Sequence, residues 1–496
     1  MTADSNGNRG MEDAYAPAEK RYWRLTPDYC LRGWQKANGV LLHRPENEID
    51  ELDEVEFYTL MLCDGKTDLG MLPLTARQED ILRDYAEKGI LSCHASPGPI
   101  TEDQTYRYYE NRYVRKVFWS LTGRCNYRCR HCYMDAPAGK MGELPLEDIL
   151  RMIDQMDGCG VLECDLTGGE ALARDDFWEI VDCLRSRKIR IGTLYSNGAL
   201  VDEKVLTEFR KRDMCPELSI SFGGFGWHDW MRGIKGAEES AVRALSLCRD
   251  MGFSTDVQMC IHRGNKDDLR ENILRLSELG VTGLKASDVM DTDLWRRRAE
   301  GQELSTREYF DAMIAYIPAF FEDGMPMNVT LSQIIALKKD SCEYLIVPEK
   351  TDGTEKAADC HLCAAARYAV YVTPDGRLVP CMPMTGTSFS DHFPKILDIG
   401  LRSGLSDSMY MQFVDSRVRD LAERSRKCSK CRFLLSCGGG CRANALAVTD
   451  AGSMRLEDAF FGEDGNQCIL FQEGYVERIH RTVEEAIQKR RRKQGS

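Results

Sequence analysis

The 496-residue chain lacks an apolar segment near its N-terminus and lacks any apolar run of membrane-spanning length. A transmembrane helix needs about 20 consecutive apolar residues, and a signal peptide needs an apolar core, which the polar first twenty residues do not contain. An excess of positive charge is also missing, since 66 Lys and Arg stand against 79 Asp and Glu and the formal net charge is −13. A broad basic surface is therefore not expected, although residues 489–493 form a short basic tail. The sequence predicts a cytoplasmic protein that binds neither membrane nor nucleic acid.

Cysteine, in contrast, is abundant, with 21 residues. Thiols stay reduced in a chain without an export signal, so this number favours metal ligation over disulfides. Eleven of the cysteines fall in three spaced groups, and the other ten are scattered. Scattered residues such as Cys159, Cys164, Cys183 and Cys248 are predicted to be buried packing residues.

The first group is Cys125, Cys129 and Cys132, in the run Leu-Thr-Gly-Arg-Cys-Asn-Tyr-Arg-Cys-Arg-His-Cys-Tyr. Three thiolates on one loop suit a 4Fe-4S cluster with one open iron, which can bind and reduce a small molecule. The alternatives are three unrelated buried thiols or a zinc knuckle, for which His131 offers a fourth ligand. The loop resembles the signature loop of the radical S-adenosylmethionine (SAM) enzymes, in which SAM chelates the open iron.

Three later motifs extend this resemblance. Thr167-Gly168-Gly169-Glu170 follows a predicted strand and is similar to the Gly-Gly-Glu motif of the family, whose backbone and acid hold the SAM amino group. Ser196 and Asn197 resemble its ribose-contacting motif, and Ser221 falls where relatives place a serine near SAM, although Gly223 replaces their acid. The resemblance implies these SAM contacts: Gly168, Gly169, Glu170, Ser196, Asn197 and Ser221. His228, Arg232, Gly233 and Gly236 fit a further family segment and are predicted to be structural.

Strands and helices alternate from about residue 113, as in a parallel α/β barrel. Strands are predicted at residues 114–122, 161–167, 189–195, 218–222, 255–261 and 283–286, and helices at 146–156 and 176–187. Six such units indicate an α/β fold, the partial (β/α)6 barrel of the radical SAM family, over residues 113–330. Its chemistry is expected at the C-terminal ends of the strands.

Residues 331–470 contain the other two cysteine groups, in the pattern Cys363-x12-Gly376-x4-Cys381, Cys428-x2-Cys431-x5-Cys437-x3-Cys441 and Cys468. This pattern resembles the SPASM domain, which carries two auxiliary 4Fe-4S clusters. The resemblance implies that Cys360, Cys363, Cys381 and Cys441 hold the first cluster and that Cys428, Cys431, Cys437 and Cys468 hold the second. A paired zinc ribbon is the alternative, and Cys342 is an alternative to Cys360. Little periodicity is present, so clusters rather than a large apolar core are expected to hold this region together. Residues 471–496 are predicted to form a C-terminal helix and basic tail.

The N-terminal part is predicted to begin with a disordered segment, residues 1–21. In residues 22–100, strands at 39–44 and 48–52 precede helices at 53–63 and 75–88. This order resembles the RiPP recognition element, a winged-helix-like module that binds the leader of a ribosomally made peptide by strand addition. A generic winged helix or a packing domain is the alternative.

Together these resemblances imply a radical SAM oxidoreductase with three 4Fe-4S clusters, SAM, and a reductant such as flavodoxin or ferredoxin. The implied function is modification of a precursor peptide, with 5′-deoxyadenosyl radical hydrogen abstraction and thioether crosslinks. The alternatives are a maturase that forms carbon–carbon crosslinks or epimerises, a sulfatase-maturase-like protein-modifying enzyme, and a nonenzymatic scaffold. The sequence nominates no general base beyond His262 and Asp288, which follow or end predicted late strands.

Overall fold

The computed structural model describes residues 20–136, 139, 141–299, 301–363, 365–406, 409–447 and 452–494. The chain divides between Tyr113 and Val114 into two compact units. The predicted disordered segment, residues 1–21, lies outside the described residues except for Lys20 and Arg21. Within the described residues, no helix combines the length and the apolar character that a membrane crossing requires.

The described residues of the first unit, 20–113, form seven strands and two α-helices. The strands are β1 Tyr22–Leu25, β2 Tyr29–Gln35, β3 Ala37–His43, β4 Glu48–Glu51, β5 Asp64–Asp68, β6 Leu91–His94 and β7 Arg107–Arg112, and the helices are α1 Glu54–Met61 and α2 Ala76–Glu87. They form one sheet in the order β5-β1-β6 and a second in the order β4-β3-β2-β7. Both helices begin at a capping box, with Asp53 and Thr75 as the capping residues. The two predicted strands and two predicted helices are confirmed.

Five strands of this unit were not predicted. One of them, β5, has the sequence Asp-Gly-Lys-Thr-Asp, which is typical of a turn and has no apolar alternation. The last, β7, lies beyond residue 100 and pairs with β2 in parallel, so the first unit extends thirteen residues further than expected. Strand β4 forms one edge of its sheet, where β3 is its neighbour.

The second unit is organised around one eleven-stranded sheet. Its strands are β8 Lys116–Ser120, β9 Glu163–Thr167, β10 Arg190–Ser196, β11 Glu217–Ser221, β12 Thr255–Ile261, β13 Gly283–Asp288, β14 Asn328–Leu331, β15 Ile335–Leu337, β16 Tyr344–Ile346, β17 Ala369–Val372 and β18 Leu378–Val379. The order is β16-β15-β14-β13-β12-β11-β10-β9-β8-β17-β18. Strands β8 to β14 are parallel, so the six predicted strands and the partial α/β barrel are confirmed.

Helices lie between the parallel strands and continue through the C-terminal region. They are α3 Leu146–Gly158, α4 Phe177–Ser186, α5 Glu203–Lys211, α6 His228–Arg232, α7 Ala237–Asp250, α8 Leu269–Glu278, α9 Asp293–Arg298, α10 Thr306–Glu322, α11 Ala365–Tyr368, α12 Ile396–Ile399, α13 Leu401–Ser406, α14 Met409–Asp415, α15 Val418–Arg424, α16 Leu434–Cys437, α17 Arg442–Ala447, α18 Leu456–Phe460, α19 Gly465–Gln472 and α20 Tyr475–Gln494. Both predicted barrel helices, now α3 and α4, are confirmed.

The expectation that residues 331–470 lack a substantial apolar core was wrong. Phe389, Tyr410, Leu421 and Phe460 are buried in the same hydrophobic core as the barrel strands. Strand β17 pairs in parallel with β8, so this region also extends the barrel sheet at its first strand. Apolar burial and sheet hydrogen bonds thus stabilise the region independently of any cluster.

The predicted C-terminal helix is α20, which packs on α10. Arg478 pairs with Asp311, and Lys489 Nζ lies 2.7 Å from Glu322 Oε1. Arg490 donates to the Phe321 carbonyl at 2.8 Å. Two residues of the basic tail, Lys489 and Arg490, therefore contact the C-terminal end of α10.

Candidate iron–sulfur and SAM site

The first cysteine group lies on the loop after β8 and directly contacts the Gly-Gly-Glu segment after β9. The Gly169 N–H donates to the Thr122 carbonyl at 2.7 Å, and the Glu170 N–H donates to the Arg124 carbonyl at 2.9 Å. These bonds continue the β8–β9 pairing past the ends of the strands. The two motifs, which are 35 residues apart in sequence, are therefore one site in the structure.

Both glycines are required by this close approach. A Cβ atom on Gly169 would lie 1.9 Å from the Arg124 carbonyl oxygen and 3.1 Å from Cys125 Cβ. Gly168 has a φ of +141°, and a Cβ there would lie 2.7 Å from the Thr122 carbonyl oxygen. Their backbone, rather than any side chain, sets the position of the cysteine loop.

The Glu170 carboxylate is buried beneath this loop, with 1% of the residue exposed. Ser196 Oγ donates to its two oxygens at 3.1 and 3.2 Å, and the Asn197 N–H donates to Oε2 at 2.9 Å. Burial raises the Glu170 pKa to about 7, although the hydrogen bonds from Asn197 and Ser196 oppose the shift. In this structure the carboxylate thus supports the Ser196–Asn197 turn, and its implied contact with SAM stays a prediction.

The other implied SAM contacts lie at neighbouring strand ends. Asn197 Nδ2 donates to Asn126 Oδ1 at 2.7 Å, next to Cys125 in the cysteine loop. Ser221 is the last residue of β11 and is half-buried. The structure therefore gathers the implied residues at the C-terminal ends of β9, β10 and β11.

The segment around α6 was predicted to be structural, and it contacts the cysteine loop directly. Arg232 Nη1 lies 3.6 Å from Cys129 Sγ, and the Arg232 carbonyl accepts from the Arg128 N–H at 3.2 Å. Arg232 thus connects α6 to the cysteine loop through both its side chain and its backbone. His228 Nδ1 accepts from the Gly223 N–H at 2.7 Å, and its ring stacks on Phe222 with centroids 4.9 Å apart.

A tyrosine pair was missed by the sequence interpretation. The hydroxyl of Tyr133, which follows Cys132, lies 2.9 Å from the hydroxyl of Tyr371 on β17. Ser120 Oγ at the end of β8 lies 2.5 Å from the same Tyr371 hydroxyl. This network joins the cysteine loop to the C-terminal region, and no local sequence signal marks a contact across 238 residues.

Four cysteines of the C-terminal region line one cavity. They are Cys428, Cys431, Cys437 and Cys468. Burial raises the pKa of Cys437 to about 11, and the neighbouring thiols of Cys431, Cys428 and Cys468 add to the shift. A 4Fe-4S cluster needs four thiolates close together, and the positive charge of its iron stabilises the deprotonated thiols.

Three cysteines line a second cavity nearby. They are Cys363, Cys381 and Cys441. Burial raises the Cys381 pKa, with contributions from the Cys441 and Cys363 thiols. Cys360 is exposed and does not line this cavity, and neither does Cys342, which lies between β15 and β16. The structure brings three of the four predicted ligands together, and the fourth stays a prediction.

In the described part of the chain, no three Cys, His, Asp or Glu side chains converge closely enough to hold a single metal ion. The scattered Cys159, Cys164 and Cys248 are buried as predicted, while Cys183 is half-buried.

Comparison with known proteins supports the resemblance to the radical SAM family. Residues 119–276 match the model of the radical SAM superfamily. The chain carries a radical SAM domain. A radical SAM domain implies a 4Fe-4S cluster and SAM as cofactors. The match contains the cysteine loop, the Gly-Gly-Glu segment and the strand ends of β10 and β11.

Relatives match over about two thirds of the chain. An AdoMet-dependent heme synthase of Methanosarcina barkeri is 25% identical over 68% of this chain and 93% of its own length. The antilisterial bacteriocin subtilosin biosynthesis protein AlbA of Bacillus subtilis is 23% identical over 65% of this chain and 66% of its own length. The structure of Streptococcus suis SuiB bound to precursor peptide SuiA has a TM-score of 0.59 and 13% identity, and it covers 90% of this chain and 99% of SuiB. That likeness shows a shared fold.

Proposed function

We propose that this radical SAM enzyme modifies a ribosomally synthesised precursor peptide and forms thioether crosslinks from cysteine sulfur to carbon. SAM and its cluster supply a 5′-deoxyadenosyl radical, which abstracts a hydrogen atom from the peptide. The protein must bind the peptide, exclude water and orient one hydrogen. A peptide substrate is supported by relatives named as the subtilosin biosynthesis protein AlbA, the mycofactocin maturase MftC and the PqqA peptide cyclase.

The observation that carries the proposal is a cavity of about 610 Å³ at the C-terminal ends of β12 and β13. The barrel contributes Ile261 and Asp288, and the C-terminal region contributes Pro383, Ala443 and Asp464. Pro383 and Ala443 each lie two residues from a predicted ligand of the first auxiliary cluster. A peptide in this cavity would touch the barrel strand ends and the auxiliary region together.

Two auxiliary 4Fe-4S clusters fit this arrangement and bring the proposed total to three. Their thiolates would come from the two cysteine sets, with Cys360 completing the three thiols of the first. Crosslinking removes two hydrogen atoms from the peptide, so an electron acceptor beside the substrate is required. A soluble reductant such as flavodoxin or ferredoxin would supply the first electron.

The second cysteine set gives a direct test of these clusters. Replacing Cys431 by alanine should remove about four iron atoms per chain, because a 4Fe-4S cluster needs its full ligand set. Peptide-independent cleavage of SAM should continue, since Cys125, Cys129 and Cys132 are unchanged. Iron analysis and deoxyadenosine assays measure both. The control is Cys215→Ala at an exposed cysteine, and equal iron contents of the two variants would contradict the assignment.

The first unit would bind the leader segment of the peptide. Strand β4 lies at a sheet edge, and an extended peptide can add to such an edge through backbone hydrogen bonds. Its exposed residues Glu48, Asp50 and Glu51 are all acidic, so a leader strand with Lys or Arg would suit it. A bound leader raises the local concentration of the core peptide, so one site modifies several residues in turn.

The function is tested by co-expressing the chain under low oxygen with the small cysteine-containing open reading frame beside its gene. Thioether formation should remove two hydrogen atoms per event and block one alkylatable thiol, as measured by mass before and after thiol alkylation. The same mass loss with every thiol free would establish carbon–carbon crosslinking instead. An unchanged mass would contradict crosslinking.

A chain that lacks residues 1–113 is the matched comparison, because the first unit ends at Tyr113. Without the tether, modification should fall by about 10²-fold or more at low peptide concentration. Peptide-independent SAM cleavage should be unaffected. Full modification by the shortened chain would favour the sulfatase-maturase-like alternative.

A further inference from the structure

One acid in the substrate cavity is placed differently from the others. Asp288 is the last residue of β13, and its side chain opens into the 610 Å³ cavity at the C-terminal end of the parallel sheet. Catalytic groups of parallel α/β barrels come from this position in the fold. The other acids that line the cavity are Asp291, Glu303 and Asp464.

A chain of hydrogen bonds orients Asp288. Gln333 Nε2 donates to Asp288 Oδ1 at 3.1 Å, and Asn466 Nδ2 donates to Gln333 Oε1 at 3.2 Å. Thr306 Oγ1 then donates to Asn466 Oδ1 at 3.0 Å. These hydrogen bonds connect the end of β13 to α19 of the auxiliary region and to α10. The hydrogen bond from Gln333 engages Oδ1 of Asp288, so Oδ2 can accept from a substrate.

The neighbouring acids are engaged elsewhere. Asp291 receives two hydrogen bonds of 2.7 Å from Arg296, and its side chain is 68% exposed. Asp464 accepts from the Cys441 N–H at 2.7 Å and from the Asn466 N–H at 3.0 Å, so it is a structural cap. Glu303 is exposed. Asp288 is thus the cavity acid that lies at a barrel strand end and is oriented by a neutral side-chain donor, Gln333.

His262, the other residue considered from sequence, is placed for packing. Its ring lies between Trp227 and Trp230, with centroids 5.1 Å from each. Its Nδ1 accepts from the Gly264 N–H at 3.1 Å, and the residue does not line the cavity. Burial lowers its pKa, which keeps the ring neutral.

We propose that Asp288 is a catalytic residue that accepts the proton which the substrate releases as its new bond forms. This role rests on the proposed function. In the step, a C–H and an S–H bond of the peptide break and one C–S bond forms. The hydrogen atom of the C–H bond goes to the 5′-deoxyadenosyl radical, the thiol proton goes to Asp288, and the remaining electron goes to an oxidised auxiliary iron–sulfur cluster. Two hydrogen atoms leave the peptide, which balances the step.

The position of Asp288 would allow the proton and the electron to leave a substrate that stays in one place. Asp464 lines this cavity and also the cavity of Cys428, Cys431, Cys437 and Cys468, so the substrate cavity is one residue away from the second cysteine set. Proton and electron can therefore leave the same intermediate in different directions. A base on the barrel side and an electron acceptor on the opposite side need no movement of the peptide between the two events.

The test compares Asp288→Asn with the unchanged enzyme, using the co-expressed peptide as substrate. Asparagine retains an oxygen for Gln333, so the fold and iron content should be unchanged. The kcat for crosslinking should fall by about 10² to 10⁴-fold, which is the usual contribution of general base catalysis, with KM within about twofold. Deoxyadenosine should still form, and in D₂O the uncrosslinked peptide should gain deuterium at the attacked carbon, because its radical is quenched. Asp293→Asn, at a side chain that is 89% exposed, is the control.

Other outcomes overturn the assignment. A raised KM with an unchanged kcat would make Asp288 a binding residue, and unaltered crosslinking would remove any role. If the asparagine variant loses iron, the comparison is made with Asp288→Glu instead. Glutamate keeps the base and should restore crosslinking to within about tenfold, whereas a glutamate variant that folds and remains inactive would contradict the proposal. Failure of the proposed function is distinguishable, since the unchanged enzyme would then release deoxyadenosine without altering the peptide.

Discussion

Replacing Gly169 by alanine should abolish SAM cleavage. The added Cβ would lie 1.9 Å from the backbone oxygen of Arg124, a distance that no real Cβ contact reaches. Arg124 cannot retreat as a flexible side chain would, because its carbonyl also accepts the Glu170 N–H at 2.9 Å. The loop that carries Cys125, Cys129 and Cys132 must shift instead. We expect activity to fall by about 10³-fold or more, since misplacing groups by 1 Å already costs about 10²-fold.

The matched control is Gly158→Ala at the end of α3, where a Cβ would meet no atom within 4 Å. This variant should cleave SAM normally and be as stable as the parent chain. In the Gly169 variant the auxiliary cysteines are untouched, so iron analysis should show a partial loss of about four atoms per chain rather than a complete one. A Gly169→Ala enzyme with normal deoxyadenosine production would show that the contact between the two motifs is dispensable.

Sequence reasoning succeeded where the chemistry depends on local spacing. The cysteine loop and the Gly-Gly-Glu segment are short motifs at strand ends, so their residues could be identified before the sheet was known. Arg232 was read only as part of a structural motif, because its 3.6 Å approach to Cys129 depends on how α6 returns to the loop. Spacing along the chain carries no information on such a contact.

In the C-terminal region too, contacts between residues that are distant in the sequence could not be predicted. Strand β17 has four residues, and its partner β8 lies more than 250 residues earlier, so its place in the barrel sheet follows from packing alone. That the cysteines of the second set lie together could be predicted, because three of them lie in one C-x2-C-x5-C run; their role as cluster ligands stays a prediction. The fourth ligand of the first set could not be predicted, since Cys342 and Cys360 each fit the pattern and neither lines the cavity.

Asp464 is expected to control the stability of the auxiliary region. Its carboxylate is 3% exposed and accepts hydrogen bonds from the backbone of Cys441, Asn466 and Gln467 at 2.7, 3.0 and 3.3 Å. It also faces Arg442, a guanidinium that is 2% exposed and whose pKa burial lowers while Asp464 opposes the shift. Removing this acid leaves the buried N–H donors of Cys441, Asn466 and Gln467 unpaired.

Asp464→Ala should therefore destabilise the folded state by about 3 kcal/mol or more, since each buried donor left unsatisfied costs about 1 to 3 kcal/mol. Arg442 would keep its bonds to the Phe460 and Gly462 carbonyls, each 2.8 Å, so the destabilisation comes from the unpaired N–H donors. The loss should appear as a lower unfolding midpoint in denaturant and as reduced auxiliary iron. The control is Asp458→Ala, which removes a pair with Arg455 whose side chains are 52% and 79% exposed and should cost less than about 1 kcal/mol. If the two variants unfold at the same midpoint, Asp464 does not stabilise the auxiliary region.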